Sequence, residues 1–222
     1  MVSDFAGWSH RDYDRPKVDP HVGMMPPRVA RMMVNLALRA AETTILDPFC
    51  GVGTILAEAL MIGAYVVGSD LSKKQVEATR ENLDWLASNY QLSIVNNQLF
   101  EADARHISAK LGGQKVDAVV TEPDLGPNTA NGNFETGIRN KLELLYLECL
   151  EEWKKMLRPG GKVVIALPSF FHDADEDRSI VTRVIDKAQI MGYSLEAGPV
   201  IYRRPQAKVG RNICIFEFKS QK

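Results

Sequence analysis

A short stretch around residue 45 constrains the fold of this chain more than any other, because an apolar run passes into a glycine-rich turn and then into a second apolar segment. Residues 45–54 read Ile-Leu-Asp-Pro-Phe-Cys-Gly-Val-Gly-Thr, and mostly apolar side chains continue to residue 61. This order predicts a strand, a tight loop and a helix. Gly51 and Gly53 allow backbone conformations that other residues rarely adopt, and they let a ligand approach the loop closely. The first amide groups of the helix are available to a polar ligand.

A second apolar run, residues 64–68, ends close to Asp70. In a doubly wound sheet, an acidic residue at the end of the second strand is placed to accept hydrogen bonds from the hydroxyl groups of a ribose. A dinucleotide site is the competing interpretation, but its G-x-G-x-x-G fingerprint needs a glycine where this chain has Leu56. Asp47 beside the loop would repel a pyrophosphate and would suit a positively charged ligand.

Composition limits the class of protein. The chain has 222 residues, of which 45% are hydrophobic and 25% charged, as expected for one α/β domain. The formal net charge is −1, so any contact with nucleic acid needs a local basic patch, another domain or a partner. Cys50, Cys149 and Cys214 form no C-x-x-C pair and the histidines form no close pair, so no metal site is predicted. With no signal peptide and no membrane-spanning apolar run, we expect no membrane contact and a cytoplasmic setting.

Apolar periodicity and turn residues predict alternating strands and helices along the chain. Strands are expected at residues 43–47, 64–69, 94–101, 116–120, 162–167, 193–203 and 211–219. Helices are expected to start at Pro27 and Ser72 and to span residues 53–62, 106–111, 138–157 and 179–191. Residues 1–26 are expected to form an irregular, extended N-terminal arm, and residues 27–222 the main domain.

Two segments resemble one known family. The loop Asp47–Thr54 resembles the S-adenosylmethionine (SAM) loop of class I methyltransferases, in the form used by enzymes that methylate amino groups of RNA and DNA. The segment Arg11–Pro16, followed by Gly23–Pro27, resembles the entry to the catalytic domain of THUMP-associated tRNA guanine-N2 methyltransferases. The resemblance implies an α/β fold with a Rossmann-like, seven-stranded, mostly parallel sheet, helices on both faces and a C-terminal antiparallel hairpin. Residues 27–222 would then be a class I SAM-dependent methyltransferase domain.

The resemblance also implies SAM as the cofactor. In that family the G-x-x-P-P turn caps the SAM pocket, and an aspartate at the position of Asp103 binds the adenine amino group. The cofactor-binding residues expected on this basis are Met24, Pro26, Asp47, Pro48, Gly51, Gly53, Thr54, Asp70, Leu71, Asp103 and Ala104.

The stretch Thr121–Pro127, which follows the fourth predicted strand, carries the sharpest indication of chemistry. In enzymes that methylate exocyclic amines this place typically reads D/N-P-P-Y/F. The polar side chain and the adjacent backbone carbonyl accept the amine protons, and the positioned nitrogen lone pair attacks the SAM methyl group. Glu122 takes the acidic position and Pro123 keeps the first proline, so both are expected to be catalytic. Asp124 replaces the second proline and Leu125 replaces the aromatic ring that would stack on an extruded base, so both are expected to bind substrate.

Two local basic groups are candidates for RNA contacts, because cationic tips with an adjacent aromatic ring suit phosphate and base-stacking contacts. The first lies in the N-terminal arm and consists of Arg11, Arg15 and Lys17 with Tyr13. The second lies in the C-terminal hairpin and consists of Arg203, Arg204, Lys208 and Arg211. Substrate binding is assigned to Arg203, Arg204 and Lys208.

These patterns favour a tRNA methyltransferase that forms N2-methylguanosine. An N6-adenine methyltransferase of DNA or RNA stays open, because both classes use nearly the same motif. A non-catalytic SAM-binding or RNA-binding subunit also stays open, because Asp124 and Leu125 depart from that motif. The resembling family recognises tRNA largely through an N-terminal THUMP-type module, for which this chain has no room. We therefore expect RNA recognition from a separate domain, or help from a small activator subunit.

Overall fold

The computed structural model describes residues 5–18, 25–38, 43–92, 98–127, 136–169, 179–204 and 209–219. Helices span Phe5–Tyr13 (α1), Pro27–Ala37 (α2), Thr54–Leu60 (α3), Lys73–Tyr90 (α4), Ser108–Leu111 (α5), Thr136–Trp153 (α6) and Ile180–Ile190 (α7). Strands span Thr44–Asp47 (β1), Tyr65–Asp70 (β2), Gln98–Glu101 (β3), Val116–Thr121 (β4), Leu157–Ser169 (β5), Tyr193–Tyr202 (β6) and Gly210–Phe218 (β7). Across these residues, no helix combines the length and apolar character needed to cross a membrane.

The strands form one sheet in the order β3-β2-β1-β4-β5-β7-β6. Neighbours among β1 to β5 pair in parallel, whereas β7 lies antiparallel between β5 and β6. The predicted seven-stranded, mostly parallel sheet with a C-terminal antiparallel hairpin is therefore confirmed. The strand order reverses between β1 and β4, and in open sheets of this kind ligands bind beside the carboxyl ends of the strands at such a switch point.

Alternate side chains of the central strands enter two cores, one on each face of the sheet. In β5, Val163, Ile165 and Leu167 join the core under α6 and α7, whereas Val164 and Ala166 join the core under α2, α3 and α4. This division follows from the two-residue period of a strand. Helices cover both faces of the sheet, as predicted.

Residues 5–13 form helix α1, so the prediction of an irregular, extended arm is wrong for this segment. Arg11 is buried in the structure, where its Nε donates a 2.7 Å hydrogen bond to Oε1 of Glu58 on α3. Its guanidinium group also lies 4.5 Å from the ring centre of Trp8. His10 Nδ1 lies 3.0 Å from the hydroxyl of Tyr90, at the end of α4. A helix this short is marginal alone, so these distant contacts stabilise it.

Candidate active site

The carboxyl ends of three strands bring the main predicted acidic residues to one edge of the sheet. Asp47 ends β1, Asp70 ends β2, and Glu122 directly follows β4. Because β1 lies between β2 and β4, Asp47 is the central residue of the three. The glycine loop, residues 48–53, leaves the same edge and leads into α3.

Two polar side chains of α4 hold the glycine loop, and the sequence interpretation missed both roles. Thr79 Oγ1 donates a 2.7 Å hydrogen bond to the carbonyl oxygen of Gly51, and Asn82 Nδ2 donates a 2.8 Å hydrogen bond to that of Val52. Asn82 also forms two 2.9 Å hydrogen bonds with the backbone of Lys17. The available signal was a pair of polar residues on the buried face of an amphipathic helix.

Gly51 and Gly53 both have positive φ angles, +53° and +85°, which favour glycine. Their surroundings differ. A Cβ added at Gly53 would lie 2.9 Å from Cγ2 of Thr79, whereas a Cβ added at Gly51 would meet no protein atom within 4 Å. Gly53 is therefore needed for packing against α4, whereas Gly51 faces open space.

Asp70 organises the turn that follows β2. Its Oδ2 accepts a 3.0 Å hydrogen bond from the backbone N–H of Gly51, and its Oδ1 accepts one of 2.9 Å from that of Ser72. These two bonds fix the plane of the carboxylate. Each oxygen keeps a lone pair, so hydroxyl groups of a ligand can still donate to Asp70. Leu71, the next residue, is 73% exposed at the same edge.

Asp47 is buried and joins β1 to its own loop and to β4. Its Oδ1 accepts a 2.7 Å hydrogen bond from Thr121 Oγ1 and one of 3.2 Å from the backbone N–H of Phe49. Burial raises the pKa of Asp47 to about 7, and the two hydrogen bonds oppose this shift only in part. Pro48 is also buried, and its carbonyl oxygen accepts a 3.4 Å hydrogen bond from Ser69 Oγ.

Asp103 lies just beyond β3 and is paired with Arg105, a partner that the sequence interpretation missed. Arg105 Nε lies 2.9 Å from Oδ1 of Asp103, and Arg105 Nη2 lies 2.6 Å from Oδ2. The hydrogen bonds from Arg105 lower the pKa of Asp103. Ala104 is buried. A contact from Asp103 to an adenine amino group would therefore use a carboxylate that is already fixed in orientation.

Glu122 is paired with Arg211, which belongs to β7. Arg211 Nε donates a 2.7 Å hydrogen bond to Oε2 of Glu122, and Nη2 donates one of 2.7 Å to Oε1. Both side chains are largely buried. Burial raises the pKa of Glu122, and the hydrogen bonds and charge of Arg211 oppose that rise. The prediction that Arg211 belongs to an exposed RNA-binding group is therefore wrong.

The loop after Glu122 is held from α6. The hydroxyl of Tyr146 donates a 2.6 Å hydrogen bond to the carbonyl oxygen of Asp124. The side chain of Asp124 turns back on the loop, where Oδ1 accepts a 2.9 Å hydrogen bond from the backbone N–H of Gly126. Pro123 is buried, Leu125 is half-buried and Asp124 is exposed. The four residues assigned to catalysis and substrate binding, 122–125, thus form one fixed segment.

Thr54 and the first basic group contact the protein interior. Thr54 Oγ1 accepts a 2.6 Å hydrogen bond from Arg15 Nη1. Arg11 and Arg15 are only 6% and 7% exposed. The prediction that they offer phosphate contacts to RNA is wrong, because both guanidinium groups are buried against polar side chains of α3. Lys17 and Tyr13 do lie at the surface.

The second basic group is only partly available at the surface. Arg203 is half-buried, and its Nη2 donates a 3.2 Å hydrogen bond to Oγ of Ser169 at the end of β5. Arg204 is exposed. Lys208 lies outside the described residues, as does Met24 of the predicted cofactor-binding set. Pro26 directly precedes α2 in an extended conformation.

A known family of methyltransferase domains matches most of this chain. A sequence model of the UPF0020 family, described as an RMKL-like methyltransferase domain, matches residues 15–183. A tRNA (guanine(10)-N2)-dimethyltransferase of Methanothermobacter thermautotrophicus is 38% identical over 160 residues, which is 72% of this chain and 43% of that relative. The enzyme of the same name from Methanocaldococcus jannaschii is 34% identical over 176 residues, 76% of this chain and 46% of that relative. The chain spans about half the length of the curated relatives that it matches.

Solved structures share the fold. TrmN from Thermus thermophilus superposes with a TM-score of 0.64 at 23% identity, over 87% of this chain and 49% of that chain. A methyltransferase from Pyrococcus furiosus superposes with a TM-score of 0.62 at 17% identity, over 95% of this chain and 92% of that chain. At these identities the likeness extends to the fold alone.

Proposed function

Because this chain belongs to the UPF0020 family of RMKL-like methyltransferase domains, we propose that it transfers a methyl group from SAM to the exocyclic N2 amine of guanine in tRNA. One observation carries the proposal. Glu122 directly follows β4, and the glycine loop follows the neighbouring strand β1, so the switch point of the sheet lies between them. Asp70, at the end of β2, lies on the same side of the switch point as the loop. A methyl donor on the loop and an acceptor amine at Glu122 would therefore face each other. Relatives that are named tRNA guanine-N2 methyltransferases support guanine in tRNA as the acceptor.

The residues around the glycine loop fit SAM. The open space beside Gly51 accommodates a ligand close to the backbone. Asp70 has a fixed carboxylate with lone pairs left for ribose hydroxyls, and the exposed side chain of Leu71 would pack against the base. Asp70 makes this edge acidic, and Asp47 adds negative charge once the pH exceeds its pKa of about 7. Negative charge here favours a cationic sulfonium over a phosphate. When bound, SAM supplies an electrophilic methyl group.

Glu122 would orient the acceptor. Its carboxylate accepts an N–H of the amine, and the backbone carbonyl beside buried Pro123 accepts the other, so the nitrogen lone pair points at the methyl group. Transfer would form the C–N bond at the expense of the C–S bond of SAM, and the Glu122 carboxylate would accept the proton that the nitrogen loses. The bond from Tyr146 to Asp124 keeps this segment in place during transfer.

Residues around the acceptor site would contact the rest of the RNA substrate. Leu125 and Asp124 would border the base, and Arg204 with half-buried Arg203 would contact the RNA backbone, joined by Lys208. With a formal net charge of −1, the chain has no overall positive field for RNA, which suits RNA recognition by a separate domain or an activator subunit. Modification of tRNA by this chain would take place in the cytoplasm.

A non-catalytic subunit is the second candidate, because Arg211 occupies one side of the Glu122 carboxylate and Leu125 offers no ring for stacking. An N6-adenine methyltransferase is the third, because its chemistry needs the same acidic acceptor.

One experiment separates these candidates. SAM binding is first measured by calorimetry, and the protein is then incubated with methyl-labelled SAM and unmodified tRNA transcripts. The RNA is digested, and its nucleosides are separated. We expect N2-methylguanosine from the wild type and none from Glu122→Ala. Labelled N6-methyladenosine would establish the adenine alternative for RNA, and SAM binding without transfer to the tRNA would support the non-catalytic one. Absence of SAM binding would remove the central claim.

A further inference from the structure

We propose that Arg211 is a positioning residue, which keeps the Glu122 carboxylate ionised and in a fixed plane so that it can accept the substrate amine. This inference rests on the proposed function, and it assigns to the C-terminal hairpin a role in the methyl-transfer site.

Arg211 and Glu122 form a bidentate ion pair, in which the guanidinium fork binds both carboxylate oxygens. Two nitrogens of the Arg211 guanidinium group meet the two oxygens of Glu122, each at 2.7 Å. Arg211 is 6% exposed and Glu122 is 16% exposed at the side chain. A planar guanidinium group that binds a carboxylate at both oxygens fixes its orientation as well as its charge. A surface ion pair between flexible side chains would do neither.

The pair reaches across one strand. Arg211 lies opposite Pro168 of β5 and opposite Tyr202 of β6 in the strand register. Its side chain therefore passes the end of β5 to meet Glu122, which follows β4. The neighbouring Asn212 donates a 3.1 Å hydrogen bond from Nδ2 to the carbonyl oxygen of Pro168. The hairpin is thus anchored where the Arg211 side chain crosses.

This contact gives a physical reason for glutamate at position 122. Aspartate is one methylene group shorter, and the observed 2.7 Å bonds to Arg211 need the longer reach if the backbone at the end of β4 stays in place. The pairing with Arg211 on β7 therefore explains why this motif position holds a glutamate, where the typical motif has aspartate or asparagine.

The ionised form matters for the chemistry. A carboxylate has about four lone-pair sites, so two remain for the substrate after Arg211 has bound. One of these can accept an N–H of the guanine N2 amine, as proposed above. A protonated Glu122 would instead carry a donor at one oxygen and would lose that complementarity.

Charged and titratable groups of several elements act on Glu122. Arg211 on β7 and Arg204 after β6 stabilise its negative charge, whereas burial disfavours that charge. Asp47 on β1 and Tyr146 on α6 also interact electrostatically with it. Removing Arg211 therefore raises the pKa of Glu122. Because the ionised form is lost as the pH falls through that pKa, the acid limb of activity moves to higher pH.

The test compares Arg211→Met and Arg211→Lys with the wild type. Arg158→Met is the matched control, because Arg158 also pairs with a carboxylate, that of Asp117, near the start of β5. The pH dependence of kcat for methylation is measured, and Glu122 is titrated directly by 13C NMR of protein labelled at glutamate carboxyls, with Glu122→Gln for assignment. We expect Arg211→Met to shift both the acid limb and the Glu122 titration upward by about 1–3 pH units.

We expect Arg211→Lys to give a smaller shift, because it keeps the charge but loses the fork, and Arg158→Met to give none. An unshifted Glu122 titration in Arg211→Met would refute the positioning role, and so would an increase in kcat at neutral pH, which would mean that Arg211 blocks the acceptor site. If Arg211→Met does not fold, Arg211→Lys is used as the test. In that case, an acid limb and a Glu122 titration in Arg211→Lys that equal those of the wild type would refute the positioning role. The NMR titration needs no substrate, so it tests the Glu122–Arg211 pair even if the protein shows no activity. Absence of methylation by the wild type would contradict the proposed function and not the role of the pair.

Discussion

Thr121, the last residue of β4, donates a 2.7 Å hydrogen bond from Oγ1 to Oδ1 of Asp47, the last residue of β1. This bond crosses the switch point of the sheet. On one side of it lies the glycine loop, which we propose to hold the methyl donor, and on the other side lies Glu122, which we propose to hold the acceptor. The distance between the two halves of the candidate site is therefore fixed by a buried contact.

Asp47→Asn is expected to change how stability depends on pH. The folded-state pKa of Asp47 is raised to about 7, so between about pH 4 and pH 7 the folded protein holds a proton that the unfolded chain has released. The stability that this proton contributes is complete below pH 4 and is lost as the pH rises through 7. Asparagine does not titrate, so the variant should gain stability relative to wild type over that window, by up to about 4 kcal/mol. Urea unfolding at a series of pH values measures this difference.

Thr121→Val is expected to change the same pH dependence in a second way. The hydroxyl of Thr121 favours the ionised form of Asp47, so its removal should raise the pKa of Asp47 further and extend the window to higher pH. A stability difference between Asp47→Asn and wild type that stays constant from pH 4 to pH 8 would contradict the assignment of a raised pKa to Asp47.

Alanine at the two loop glycines is expected to separate packing from ligand binding. Gly53→Ala places a Cβ 2.9 Å from Thr79 at a φ of +85°, so we expect a loss of about 2–4 kcal/mol of stability. Gly51→Ala meets no protein atom and should cost only about 1–2 kcal/mol for its positive φ. Its methyl group would enter the proposed SAM space, so the Kd for SAM should rise about tenfold or more. Chemical unfolding and calorimetry give the two quantities, and unchanged SAM affinity in Gly51→Ala would argue against this loop as the cofactor site.

The sequence was most informative where one local pattern decides the structure. In β4 and β5 the apolar runs are long enough to predict buried strands, and the glycine loop after β1 predicts the turn and the ligand edge together. These features depend on neighbours in the chain, so they can be recognised without the fold.

The roles of Arg11 and Arg211 could not be read in the same way. Each stands in the sequence among other basic residues, which suggests a surface patch. The fold instead places Arg11 against Glu58 and Arg211 against Glu122, partners 47 and 89 positions away along the chain. Only the docking of α1 and the register of β7 with β5 define these pairs, and neither can be derived from local pattern.

Tyr146→Phe is expected to lower kcat without weakening SAM binding. The variant removes the 2.6 Å hydrogen bond to the carbonyl oxygen of Asp124, which holds the segment that carries Glu122. We expect a loss of about 1–2 kcal/mol in stability and a fall of about tenfold in kcat. Tyr193→Phe is the matched control, because its hydroxyl donates a 2.7 Å hydrogen bond to the carbonyl oxygen of Leu150, a residue outside the proposed site. Steady-state methylation with saturating SAM should show normal kcat for Tyr193→Phe, and an equal fall in both variants would mean that global stability, not the position of this segment, sets the rate.

Glu58→Ala is expected to release α1 from the domain. Glu58 is 1% exposed and lies 2.7 Å from Arg11 Nε and 2.8 Å from Arg31 Nη2, so alanine leaves two guanidinium groups without their carboxylate. Loss of one member of a buried ion pair typically costs about 3–5 kcal/mol, because the remaining charge is poorly solvated. Glu196→Ala, which removes an exposed partner of Lys219 at 3.8 Å, should cost less than about 1 kcal/mol. Urea unfolding measures both values, and hydrogen exchange of the α1 amides should accelerate in Glu58→Ala alone. Protected α1 amides in a destabilised Glu58→Ala would mean that the aromatic contacts of Trp8 and His10, rather than this ion pair, hold the helix.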